Sequence, residues 1–440
     1  MSLNTNLLNR YLSLINKSRV LAGKELLIGK ELRRFFMKQL IMSVTIATFT
    51  YYLISYVIKL PYLYSITFTT LSLLTSFLAP PLAYYIKAIE RAHKLELDFK
   101  YFVISEGIVL DKRSELLRDL LEVSTWKDVF PDLYREALRL KKLSKMLSIF
   151  DAVKAYIKLI KSKEVGRALL DYLFTLSLGG GINWVKEKSD EWLNHIKLLT
   201  YSRIRLRTTI SVMLAILLGY TPPLVIMLSV IMGSQIIQKA LTTTLILSLL
   251  AFIVTPRLPR HLSTSSVRLS KEYLLISLIP IISSLMTYLL TSSLTNALMT
   301  FSAVGIVSGV IKLRGYLTTL KELGDLPRIL ALMSEAPLTI VNPLEIFKKA
   351  LKSSKSKTLK NLGNYVGKDL NTTLRLLRNS LWLSKYLIYV IIKGISAGTL
   401  SRERILKLRE LILDLIKDIK YALLTNLIVA VIALALPMIL

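Results

Sequence analysis

Seven apolar segments alternate with charged stretches in this chain, and no Asp, Glu, Lys, Arg or His interrupts their cores. They run over about Leu40–Ile58, Leu63–Ile86, Ile210–Gly233, Leu241–Thr255, Leu274–Leu290, Ala297–Ile311 and Ala422–Leu440. Each is close to the length a helix needs to cross the hydrocarbon layer, the fourth and sixth being the shortest. The pattern predicts an all-α polytopic membrane protein with seven transmembrane helices.

The charges then divide the chain. Residues 1–39 form an amphipathic N-terminal segment, 40–86 hold the first two spans, and 87–207 form a first water-exposed block. Residues 208–311 hold spans three to six with a short basic loop at 256–273. A second block covers 312–421, and 422–440 is the last span. Of the 59 Lys and Arg residues, only Lys59 and Lys239 fall on the other side of this partition. Basic residues beside spans mark the cytoplasmic face: Arg33, Arg34 and Lys38, then Arg203, Arg205 and Arg207, then Arg257 and Arg260. The expected topology is multi-pass in the cell (cytoplasmic) membrane, with the N-terminus and both large blocks cytoplasmic and the C-terminus outside. At the N-terminus no signal-peptide core is present, and Leu7, Leu8, Leu12, Leu14 and Ile15 fit a helix lying on the membrane.

A formal charge of +30 invites a nucleic-acid reading. Much of that charge is expected near the bilayer, where each basic residue gains about 1 kcal/mol against an anionic leaflet. No nucleic-acid-binding motif is present, so no nucleic-acid partner is expected. Cysteine is absent, which removes disulfides, thiolate nucleophiles and Cys metal sites. His93, His195 and His261 are isolated, so neither metal nor cofactor is expected.

Both blocks read as helical bundles. In the first, Phe99, Phe102, Val103 and Ile104 share a helix side, and Glu106–Gly107 reads as a break. Helices are expected over Lys112–Val123, Leu133–Leu147, Val165–Leu178 and Trp184–Leu199, the last two joined by a hairpin at Gly179, Gly180 and Gly181. In the second, Asp325–Leu326–Pro327 starts a helix that Pro337 ends, Pro343 begins another, and Leu381–Ile392 is followed by Gly394, Gly398 and a Ser401-capped helix. In each block a hairpin leads into a long helix that runs straight into a span, at Ile210 and at Ala422. This is a duplicated architecture: two cytoplasmic helical-bundle modules.

These residues resemble the type II secretion F-protein family, nearest to its archaeal branch that builds type IV pili and archaella. The similarity lies in the acidic–Leu–Pro element Asp325, Leu326, Pro327 with Ile329, Leu332 and Ser334, then Leu344, Phe347, Ala350 and Leu351. It continues in Leu170, Leu173, Leu176, Gly179–Gly181, Val185, Lys188 and Trp192, matched by Ile388, Ile392, Gly394, Gly398, Ile405 and Leu408. Departures are Leu97–Asp98–Phe99 where the family often has proline, and Ala336–Pro337 where glycine is common. The chain also stops at its seventh span where archaeal members continue, as a divergent short member or a truncated chain would.

The resemblance implies a non-enzymatic membrane platform, acting as a homo-oligomer (dimer). It would couple a cytoplasmic hexameric secretion-type ATPase to insertion of pilin subunits into a filament. The basic run Lys348, Lys349, Lys352, Lys355, Lys357 and Lys360 is denser than orientation requires and is the candidate ATPase-docking surface. No catalytic residue is assigned. The glycine triplet lacks the Lys-Ser/Thr of a phosphate loop, and Asp98 and Asp111, the nearest imitation of an aspartyl peptidase pair, fall where surface helix residues are expected. The alternative is a secondary transporter or channel, with Pro80–Pro81, Pro222–Pro223 and Pro280 as helix interruptions, but no charge lies at membrane depth.

Overall fold

The computed structural model describes residues 11–17, 19, 29–57, 61–109, 116–232, 279, 282–283, 286–287, 290, 300, 303–304, 307, 321–336, 342–367, 373, 376 and 381–439. The fourth apolar segment, the loop 256–273, Asp111 and Pro337 lie outside these residues. The fifth and sixth segments are described only at scattered positions.

The architecture is all-α, with no strand among the described residues. Helices are α1 (11–17), α2 (Lys30–Tyr52), α3 (Tyr62–Val109), α4 (Leu116–Glu122), α5 (Pro131–Leu143), α6 (Ile149–Leu159), α7 (Lys163–Ser177) and α8 (Gly181–Met232). Then come α9 (321–335), α10 (Pro343–Lys352), α11 (Lys357–Leu362), α12 (Trp382–Ser396) and α13 (Arg402–Ile439). The chain divides into two compact units, Met1–Tyr101 with Asp132–Gly179, and Phe102–Pro131 with Gly180–Leu440.

In the first unit α2 and α3 are antiparallel. Gln39 donates to the Ser76 carbonyl at 2.7 Å, Thr50 and Ser72 share a hydroxyl hydrogen bond at 3.1 Å, and Tyr11 stacks on Phe77 at 4.6 Å. The outward faces are apolar, with Ile41, Phe49, Leu71, Leu74 and Leu82 all exposed. Among the described residues one helix is long and apolar enough to cross a membrane, Ser65–Val109 within α3. At about 1.5 Å per residue its 45 residues are about twice as long as the ~30 Å hydrocarbon layer. The apolar half ends near Ile86, and beyond Lys87 the helix continues as the first helix of a packed bundle. Pro80 and Pro81 lie inside α3 without ending it.

Asp98 is buried, not on the surface as its position in the sequence suggests. Its Oδ2 accepts from the backbone N–H groups of Asp132 at 2.9 Å and Leu133 at 3.3 Å, satisfying the first turn of α5. In the second unit Asp325, also buried, accepts from Ser356 N at 2.7 Å, just ahead of α11. A carboxylate at a helix N-terminus meets both unpaired N–H groups and the positive end of the helix dipole. Asp98→Ala is therefore expected to cost about 1–2 kcal/mol in thermal unfolding of the purified chain, and Asp98→Asn, which keeps an acceptor, clearly less. Equal melting of Ala and Asn variants would count against this capping role.

The sequence reading carries a helix on to Leu147 and passes over the next one, Ile149–Leu159. Helix α5 stops at Leu143, and Ser148 caps α6, accepting from Asp151 N at 3.2 Å while donating to the Asp151 carboxylate at 2.7 Å. That Ser-x-x-Asp spacing is a capping signal.

Glycine placement also differs. Gly107 is no break: it lies within α3, and a Cβ there would stand 2.2 Å from Ser189 Oγ of α8. Its lack of a side chain lets two helices of the second unit approach closely. Gly394 is likewise helical, inside α12. The turns are made by Gly179 (φ 78°) and Gly398 (φ 66°), left-handed conformations that glycine adopts at little cost. Gly180 follows in the first turn, and Gly181 already opens α8.

From these turns two long helices leave, α8 of 52 residues and α13 of 38. They pack side by side in the same direction. Lys197 meets Asp414 at 2.7 Å and Lys407 meets Asp190 at 4.0 Å, so both pairs keep the same register. These pairs are half-exposed and worth about 0–1 kcal/mol each. Buried Trp184, Trp192, Ile196, Ile405, Leu408, Leu411, Ile412 and Leu415 supply most of the stabilisation in the two helices.

Candidate functional site

Within the second unit, the end of α3 and helix α4 meet α12 around three ionisable side chains. Lys393, near the end of α12, donates to the Glu106 carboxylate of α3 and lies 3.4 Å from Asp119 Oδ2 of α4. Side-chain exposure is 3% for Glu106, 15% for Asp119 and 17% for Lys393. The Lys393 ammonium also stands 5.8 Å from the Phe102 ring centroid.

Aromatic rings enclose the cluster. Tyr389 meets Trp126 at 4.7 Å and Phe130 at 5.1 Å, both edge-on, and Trp382 stacks on Tyr386 at 5.2 Å while its indole N–H donates to the Val129 carbonyl at 2.8 Å. On the far side Thr399 and Arg404 donate to the Val109 carbonyl at 2.7 and 3.1 Å, satisfying the last turn of α3. Arg404 N is 3.4 Å from Ser401 Oγ, the cap expected for α13.

Burial raises the Glu106 carboxyl to about 8. Lys393 pulls it down and Asp119 pushes it up, both more weakly than burial does. Tyr386 and Tyr389 are pushed up as well, by burial first and then by the negative charge of Glu106. A second buried acid, Glu322 of α9, accepts from Leu381 N at 3.0 Å and from the Ser384 hydroxyl, so it caps α12. Burial raises its pKa while those two hydrogen bonds oppose the rise.

The cluster sets one ammonium between two carboxylates in a largely buried space, and burial favours the protonated form of Glu106. Among the described residues no group of three or more His, Cys, Asp or Glu side chains could hold a metal ion.

The lysines singled out in the sequence lie elsewhere in the same unit. Lys348, Lys349 and Lys352 are on α10, Lys355 is in the turn after it, and Lys357 and Lys360 are on α11. All but Lys348 are exposed. Lys348 is half-buried and donates to Glu345 at 2.7 Å, a contact that holds Glu345 below the usual carboxylate range. Phe347, Ala350, Leu351, Leu359 and Leu362 bury the opposite faces, so the lysines form the outer surface of a fixed helical pair. No family model, curated relative or solved structure matches this chain.

The sequence reading passes over the ionic cluster, although a signal for it exists. Glu106 is a lone acid in an apolar helix end, and Lys393 a lone base ending another. Opposite charges stranded in apolar faces are expected to find each other.

Proposed function

We propose that this chain is a non-enzymatic membrane platform of a type IV pilus-like assembly machine, related to the type II secretion F-protein family. In this reading seven transmembrane helices carry two duplicated cytoplasmic modules. A hexameric secretion-type ATPase docks below, pilin subunits lie against the spans, and the platform acts as a dimer. The observation that carries it is the parallel pair α8 and α13, each rising from a packed helical bundle into an apolar run without interruption. A helix of 52 residues is a rod of about 78 Å, long enough to pass a displacement of the bundle to a bilayer segment.

Two repeated details support the duplication: a buried aspartate that satisfies a later helix start (Asp98, Asp325), and a left-handed glycine before each long helix (Gly179, Gly398). Matching Asp98 with Asp325 places Gly107 opposite Ser334, a small residue in both copies.

Activity belongs to the partner in this reading, and the exposed lysines of α10 and α11 are its landing surface. Co-purification from native membranes is expected to recover a hexameric ATPase and pilin-like subunits. The triple charge reversal Lys349→Glu, Lys352→Glu, Lys357→Glu is expected to weaken ATPase capture at least tenfold at low salt, with a smaller loss as salt rises. Capture unchanged at low and moderate salt would remove these lysines from the interface. Substrate-dependent transport by the protein alone in liposomes would replace the platform with a carrier.

A further inference from the structure

The first unit contains a cavity of about 340 Å³ between α3, α5 and the α6–α7 connection. Its position along α3 is informative. Ala88, Arg91, Ala92 and Leu95 line one wall at helical spacing and begin two residues after the apolar run ends at Ile86. With that apolar run in hydrocarbon, the mouth lies at the depth where a bilayer's headgroups begin. Arg19, whose guanidinium lies 5.6 Å from the Phe35 ring and 5.4 Å from the Tyr84 ring, marks the same level. Aromatic and cationic residues of this kind anchor helices at the interface.

Four cations line the cavity, Arg91, Arg139, Lys142 and Lys161, against one carboxylate, Glu136. That carboxylate is already committed. It accepts from Arg91 at 2.8 Å, from Arg139 at 3.1 Å and from the Tyr156 hydroxyl at 3.3 Å. The Lys161 ammonium is buried with no hydrogen-bond partner among the described residues, 4.4 Å above the Tyr85 ring. An ammonium has three donors, and leaving them unmet in a buried place is costly. Burial accordingly pushes its pKa down. The other walls are apolar, formed by Leu95, Leu143, Leu159 and Ile160, with Leu159 70% exposed at the rim.

We propose that this cavity binds the phosphate group of an anionic membrane phospholipid, held by Lys161 and Lys142, with an acyl chain continuing along the exposed Leu82–Ile86 face of α3. Cations above an apolar wall that leads into the bilayer fit a lipid better than a free anion, which has no use for the wall. The inference rests on α3 entering a membrane and is independent of the assembly role.

The test uses the full chain, delipidated in detergent, with phosphatidylglycerol, phosphatidylcholine and inorganic phosphate added in separate arms. Native mass spectrometry reads retained lipid, and the melting temperature reads stabilisation. Phosphatidylglycerol is expected to be retained and to raise the melting temperature, and the other two are not. Lys161→Gln and the exposed Lys142→Gln are each expected to weaken phosphatidylglycerol binding about fivefold, while Lys154→Gln, on the exposed side of α6, leaves it unchanged. Equal retention of phosphatidylcholine, or wild-type binding by both variants, would overturn the proposal. Stabilisation by inorganic phosphate alone to the same degree would do so too, since it would make this a free-anion site.

Discussion

Replacing Lys393 with methionine should destabilise the protein by about 3–5 kcal/mol, the usual result of removing one partner from a buried ion pair. Methionine keeps the length and apolar stem of lysine, so packing against Phe102 is largely retained and the loss reports on charge. Without the ammonium, Glu106 and Asp119 face each other with no cation between them. Glu106, with a pKa of about 8, is already largely protonated at neutral pH, so the partner that loses its cation is chiefly Asp119, which limits the damage to the lower part of that range. The measurement is thermal unfolding of the full chain in nanodiscs, followed by Trp fluorescence, since Trp126 and Trp382 sit in the wall of the cluster. A second variant separates charge from packing: Glu106→Gln with Lys393→Met removes both members of the shortest pair and should recover part of the loss. A Lys393→Met protein that melts with the parent would mean the cluster holds nothing together.

The second large effect is a dependence on pH. Glu106 has a folded-state pKa of about 8 against about 4.3 in an unfolded chain. Between those values the native state holds a proton that the unfolded state releases, so stability falls as pH rises. The contribution is complete below the unfolded pKa and is lost as pH passes through about 8. Its size is on the order of a few kcal/mol, because each unit of separation corresponds to about 1.4 kcal/mol. Every charged or titratable group described around Glu106 belongs to the same cluster: Lys393, Tyr386 and Tyr389 on α12, and Asp119 on α4. A protonated Glu106 still accepts from Lys393 through its carbonyl oxygen. Melting curves from pH 5 to pH 9 should therefore slope downward in the parent and flatten in Glu106→Gln. An equal slope in both proteins would assign the dependence to other groups.

The helical character and the two long rods were legible in the sequence. Apolar periodicity around Leu116–Leu121 and Val165–Leu178 places α4 and α7 within a few residues, because a face that must be buried repeats at the helical period. Gly179 and Gly398 mark turns by the same local logic, and Ser401 marks a helix start. Local rules failed where two signals overlap. Gly107 looks like punctuation, yet it sits in a helix because Ser189 approaches from another one. The sequence reading passes over the helix that Ser148 caps, although its Ser-x-x-Asp start is visible in the sequence.

What the sequence determined by itself is whatever depends on neighbours along the chain: helix rather than strand, and apolar runs that suit hydrocarbon. What only the tertiary structure decided is which distant groups share a buried space. Glu106 and Lys393 are 287 positions apart, Asp98 and the helix start it caps are 34 apart, and Lys161, in the connection between α6 and α7, meets Tyr85 of α3. No periodicity encodes those pairings. They arise because a charge carried into an apolar bundle by its helix must find an opposite charge, an unpaired N–H or an aromatic face there, and packing of the whole unit selects which one it meets.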